Sequence, residues 1–147
     1  FIPPENFPGH VTGFDSLEEV LTRADIITLH VPLTPETHHM INVRTLRLMK
    51  PEARIINTSR GPVIDQEALY RALQDGGIAG AALDVFEEEP LPANHVLNVL
   101  PNTILTPHIA GLTETAMERI SMQAAQAVLD ILHGRAPEYP VDEEVGF

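Results

Sequence analysis

The sequence predicts an α/β fold built on a mostly parallel sheet. Three observations carry this: four apolar runs of strand length, helical apolar spacing between them, and capping or turn residues at the joins. Residues 1–15 contain Pro and Gly without period and read as a loop. Ser16 and Glu19 have capping-box spacing, so a short helix through Leu17, Val20 and Leu21 follows, ending near Arg23. Ile26 to Val31 is a near-continuous apolar run stopped by Pro32, the pattern of a strand covered on both faces. Thr34-Pro35-Glu36 is a cap with Pro at the first helical position, and Asn42 caps a helix through Leu46 and Met49. Arg54 to Thr58 is the second strand. Asp65 caps a helix with Ala68, Leu69 and Leu73 on its apolar face, closed by Gly76-Gly77. Ile78 to Val85 and Thr103 to Thr106 are the third and fourth strands. A last helix, about Thr113 to His133, sets Ala116, Ile120, Ala124, Ala127 and Ile131 on one stripe, with Gly134 as its stop. Residues 135–147 form an acidic tail with no evident place in the core.

Composition narrows the partners. The chain has 147 residues, enough for one domain with a real core. Nine basic against 21 acidic residues give a net charge of −12, which repels a phosphate backbone or an anionic lipid surface. Neither nucleic acid nor membrane is an expected partner. No Cys is present, so disulfide scaffolds, thiolate nucleophiles and Cys-ligated metals drop out together. No apolar run approaches the roughly 18 residues of a membrane span, and the Pro-rich start does not read as a signal peptide. A cytoplasmic location is therefore expected.

In open parallel sheets, ligands sit beyond the carboxyl ends of the strands. The residues just after each apolar run are therefore the candidates. These are His30, Val31 and Pro32; then Thr58-Ser59-Arg60-Gly61; then Asp84 and Glu87-Glu88-Glu89-Pro90; then Pro107-His108-Ile109-Ala110-Gly111. An arginine, carboxylates and a histidine converge on one sheet edge from three strands. Taken singly, each has a plainer reading. Arg60 would be a surface ion pair, Glu87 to Glu89 a solvated acidic loop, and His108 a structural histidine. His38-His39 is given no role. No metal site is expected, because no His-x-x-x-His or Glu-x-x-His pair falls on a predicted helix and the acidic run lacks calcium-loop spacing.

Four stretches in order, LHVPLTPETHHMIN, INTSRGPVIDQEALYRAL, GAALDVFEEEPLP and TPHIAG, resemble the D-isomer-specific 2-hydroxyacid dehydrogenases. That family includes glyoxylate and hydroxypyruvate reductases, phosphoglycerate dehydrogenase, formate and phosphite dehydrogenases, and a transcriptional corepressor branch. The resemblance runs from about Leu17 to Gly134. It implies that Arg60 binds the substrate carboxylate, that Glu89 and His108 are the family's Glu–His pair, and that Asp84 holds the nicotinamide carboxamide. It further implies that Val31, Thr58, Ser59, Arg60, His108, Ala110 and Gly111 line the nicotinamide end of NAD or NADP.

The chemistry of such a set is coherent. Oxidising a 2-hydroxy acid removes a hydroxyl proton as hydride leaves C2, and an imidazole can take and return that proton. A carboxylate on the other ring nitrogen fixes the tautomer. A planar guanidinium can fork onto a carboxylate. Glu89, where a Gln stands in the formate-dehydrogenase pattern, argues against formate as the substrate.

The dinucleotide fingerprint G-x-G-x-x-G is absent from the sequence. With Phe1 in place of Met, the resemblance implies a partial Rossmann-like doubly wound sheet without the first strands and the phosphate-binding turn. Residues 16–134 would then be the nicotinamide half of the cofactor domain. The isolated chain is expected to have little or no turnover, and its open sheet edge is expected to drive self-association. A second reading is a non-catalytic cofactor-sensing or interaction module, akin to the corepressor branch. The identity of the 2-hydroxy acid, and NAD against NADP, are not set by the residues present.

Overall fold

Parallel pairing organises the structure, a computed structural model that describes residue 6 and residues 8–140; the rest of the expected loop and tail lies outside the described residues. Strands β1 (Ile26–Leu29), β2 (Arg54–Asn57), β3 (Gly80–Leu83) and β4 (Thr103–Leu105) form one sheet in the order β1-β2-β3-β4. All three pairings are parallel, with Leu29, Asn57, Leu83 and Leu105 in register across the sheet.

Each strand stops short of the apolar run that predicted it. For β2 the cause is local: the Asn57 side chain accepts from the Ser59 N–H at 3.0 Å, turning the backbone out of the ladder. The strand ends thus release residues 30–31, 58–60, 84–89 and 106–108 as loops on one edge.

Helix α1 (Leu17–Arg23) precedes β1, α2 (Val43–Leu46) lies between β1 and β2, and α3 (Gln66–Gln74) lies between β2 and β3. Sequential strands joined by right-handed crossovers place their helices on the same side of a sheet. The core follows that rule: Ile27, Leu29, Ile55, Ala81 and Leu83 are buried with Leu21, Leu46, Leu69 and Leu73. The opposite row of the sheet stays open within this part of the chain, with Ile26 63% and Ile104 68% exposed. Cover on both faces, expected from the apolar runs, is therefore found on one face only. The described strands progress in one direction, as expected of a partial Rossmann-like doubly wound sheet without its first strands.

Several caps are as predicted. Asp65 accepts from the Ala68 N–H at 2.9 Å, and Gly76 closes α3 at φ +70°. Asn42 caps α2 in a reciprocal box with Thr45. Ser16 accepts from the Glu19 N–H, while the Glu19 carboxylate pairs with Arg23 at 3.0 Å. Residues 35–39 form a turn and not a helix. Thr34 and Thr37 hydroxyls bond the local backbone there, and His39 at φ +50° ends the segment after one i to i+4 bond.

The chain divides into two compact units, residues 1–108 and 109–147. The second unit contains α4 (Glu114–Leu132), capped by the Thr113 hydroxyl and ended by Gly134 at φ +70°. None of the α4 residues is buried; of the predicted stripe, Ile120, Ala124 and Ile131 are exposed while Ala116 and Ala127 are half-buried. Among the described residues no helix is long and apolar enough to cross a membrane, and no group of three His, Cys, Asp or Glu side chains is placed to hold a metal ion.

Candidate active site

The loop after β2 is built on Asn57. Its side chain is buried, accepts from the Ser59 N–H and hydroxyl at 3.0 and 2.8 Å, and donates to the Arg60 carbonyl at 2.9 Å. Those bonds fix the backbone from which Arg60 projects. Arg60 itself is exposed, its Nη1 donating to the Ser59 carbonyl at 2.7 Å. Gly61 then presses against the loop after β3: a Cβ there would fall inside the Phe86 carbonyl and 2.6 Å from the Glu87 nitrogen. Only glycine lets the two backbones meet.

The loops after β3 and β4 meet at Asp84. This residue is buried, with 4% exposed, and its carboxylate accepts from the Thr106 hydroxyl at 2.6 Å. Its carbonyl accepts from the His108 N–H at 2.8 Å. His108 sits at φ +56°, a conformation that costs a non-glycine residue roughly 1 kcal/mol or more and persists where its surroundings over-determine it. Here a second bond from the same N–H to the Thr106 carbonyl helps to hold it.

The pair follows from these two loops. His108 Nδ1 lies 2.8 Å from Glu89 Oε2, while Glu89 Oε1 accepts from the Phe86 N–H at 2.9 Å. Burial pushes the Glu89 carboxyl up, but the hydrogen bonds from His108 and the Phe86 N–H, with the charge of His108, outweigh it. The carboxyl ends below its ordinary value of 4.5. A depressed carboxyl stabilises the fold above that ordinary value, and the contribution is lost as pH falls through the lower native value. Urea unfolding of the wild type and Glu89→Gln should therefore show a steady gap near neutral pH that closes in acid. A gap independent of pH would contradict the pairing.

Beside the pair opens a cleft of about 470 Å³, lined by Phe86, Pro90, Leu91, Asn98 and Leu105 together with Glu89 and His108. An ionised acceptor, an imidazole with its second nitrogen beyond that bond, and an apolar wall suit a small polar reactant and a flat heteroaromatic ring.

Of the sequence candidates, Asp84, Glu89 and His108 come together through hydrogen bonds or shared backbone. Arg60 is tied to them through Gly61 and Phe86; its guanidinium bonds neither Glu89 nor His108. Val31 is half-buried against the core, Thr58 is exposed, and Ser59 is buried on Asn57. Ala110 and Gly111 open the second unit, where both are exposed. The acidic run is not simply solvated, since Glu87 and Glu89 both make specific bonds. Asn57 and Thr106 received no role from the sequence. The available signal was a polar residue ending each apolar run.

The residues fit the nicotinamide end of a dinucleotide by their chemistry: a buried carboxylate at Asp84 suits a carboxamide NH₂, and the open Thr58 edge lies at a neighbouring strand end. A pyrophosphate cradle of the G-x-G-x-x-G type is not in the sequence.

A parallel sheet with a cation, carboxylates and an imidazole at its strand ends is the arrangement of an α/β protein that binds its ligand beyond those ends. Comparison with known proteins makes this specific. The chain belongs to the D-isomer specific 2-hydroxyacid dehydrogenase family, whose NAD binding domain matches residues 3–110. It is 52% identical over 132 residues to a glyoxylate reductase of Thermofilum pendens, covering 90% of this chain and 39% of that protein. The TT0316 protein from Thermus thermophilus superposes with a TM-score of 0.85 at 46% identity, covering 93% of this chain and 44% of that one. A D-isomer specific 2-hydroxyacid dehydrogenase from Xanthobacter autotrophicus Py2, in complex with NADPH and MES, superposes with a TM-score of 0.78 at 36% identity, over 92% of this chain and 55% of that one. The chain thus spans about two-fifths of the length of the curated relative it matches.

Proposed function

We propose that the chain, through residues 16–134, supplies the nicotinamide half of an NAD(P)-dependent oxidoreductase that interconverts a D-2-hydroxy acid and a 2-oxo acid. The observation that carries this reading is the Glu89–His108 pair, 2.8 Å apart at the end of the sheet. Glu89 occupies Nδ1, so Nε2 is the nitrogen that accepts the substrate hydroxyl proton in oxidation and returns it in reduction. Arg60 swings from the Ser59 carbonyl to fork onto the substrate carboxylate, beside the carbon that reacts. Asp84 orients the carboxamide, and Val31, Thr58 and Ser59 line the ring. Bound nicotinamide supplies the hydride acceptor or donor. Family membership supports both NAD and NADP as cofactors within this reading. The exposed row containing Ile26 and Ile104 supports self-association.

A chimera tests the reading. The matched 132 residues of the Thermofilum pendens glyoxylate reductase are replaced by those of this chain. The chimera should reduce glyoxylate or a related 2-oxo acid with NADH or NADPH, whereas the 147-residue chain alone should show little or no turnover. A folded chimera inactive on a panel of 2-oxo acids would count against the proposal.

A further inference from the structure

The geometry points to Gln66 and Glu87 as positioning residues for the Glu89–His108 pair, an inference that rests on the catalytic reading of that pair. Gln66 is the first residue of α3, and Glu87 follows Phe86 in the loop after β3. The two make a reciprocal bond. The Gln66 N–H donates to Glu87 Oε1 at 3.2 Å, and the Glu87 N–H donates to Gln66 Oε1 at 3.2 Å. An ordinary surface pair joins two side-chain tips and leaves both backbones free. This one pins the Glu87 backbone as well as its side chain.

Two further contacts complete the clamp. His39 Nε2, from the loop after β1, lies 2.9 Å from the same Glu87 Oε1, and the His39 N–H donates to the Pro62 carbonyl at 2.8 Å. On the other flank, Gly61 abuts the Phe86 carbonyl. Phe86 is therefore held from both directions, and its N–H is the group that holds Glu89 Oε1. The mechanical path runs from Gln66 and Glu87 through the Phe86 peptide to Glu89 and then to His108 Nδ1. Half-exposed hydrogen bonds of this kind are weak singly, so the effect expected from each is a shift in population and not a loss of fold.

The test reads the tautomer of His108 in the 147-residue chain, labelled with ¹⁵N-histidine, by two-bond ¹H–¹⁵N correlation at alkaline pH. The His108 signals are assigned by their disappearance in His108→Ala. In the wild type the carboxylate at Nδ1 should hold the proton there, whereas Glu89→Ala should move the ratio toward Nε2–H by about tenfold. Gln66→Ala and Glu87→Ala should each move it the same way by about threefold. Glu87→Gln keeps an acceptor oxygen for Gln66 and should stay near the wild type. If Glu89→Ala shifts the ratio while Gln66→Ala and Glu87→Ala do not, the positioning role is overturned and the pair stands. If Glu89→Ala itself leaves the ratio unchanged, the pair does not set the tautomer, and both readings fall.

Discussion

His108→Ala in the chimera should lower kcat for 2-oxo acid reduction by about 10² to 10⁴-fold, the usual worth of a general acid or base. The size of the expected loss follows from the site. His108 is the imidazole whose Nδ1 is bonded to the Glu89 carboxylate at the strand ends, and it lines the cleft. Among the described residues, no other titratable group lines that cleft apart from Glu89, which is an ionised acceptor at working pH. Steady-state kinetics separate this role from a binding role. Loss in kcat with KM nearly kept marks a group used in the transition state, whereas a rise in KM alone marks one that holds the ground state. Arg60→Gln should show the complementary pattern, because in the proposed reading its guanidinium acts on the carboxylate that the substrate carries throughout.

Gly61→Ala should be the most damaging small substitution in the first unit, costing about 3 kcal/mol or more in urea unfolding or preventing soluble expression. The added methyl has nowhere to go: its nearest neighbours are the Phe86 carbonyl and the Glu87 nitrogen, both backbone. A side chain could rotate aside, but here two loops would have to separate, one bearing Arg60 and the other Glu89. Stability and the site should therefore fail together. Gly9→Ala, with no atom within 4 Å of the new Cβ, is the control and should leave unfolding unchanged. Equal stability of the two variants would show that the loop contact is dispensable.

Much of this architecture was legible in the residues. Ile26 to Leu29 and Arg54 to Asn57 stand out because an apolar run bounded by Pro or polar residues has few other uses. Asp65 and Gly76 mark α3 by capping chemistry that acts within one turn. What was hidden depends on pairing. Asn57 looks like a strand-end residue until the register with Leu83 turns its side chain toward the covered face. Thr106 acquires a partner only when β3 and β4 lie side by side, 22 positions from Asp84. Which row of the sheet stays exposed was not legible, because near-continuous apolar runs do not reveal which side the crossovers take. Residues 35–39 read as a helix start because Thr-Pro-Glu has the right chemistry, yet no apolar stripe follows to reward another turn. The Glu89–His108 pair was reached by motif resemblance, since nothing in a separation of 19 residues predicts it.

The central claim is that His108 moves the proton and that Glu89 acts through it. A double-mutant cycle of His108→Ala and Glu89→Ala on kcat/KM in the chimera addresses it most directly. Glu89 working through the imidazole predicts that the double variant is no slower than His108→Ala alone, because the carboxylate has nothing left to orient. Losses that simply add would contradict the account, showing that the two residues serve the reaction independently.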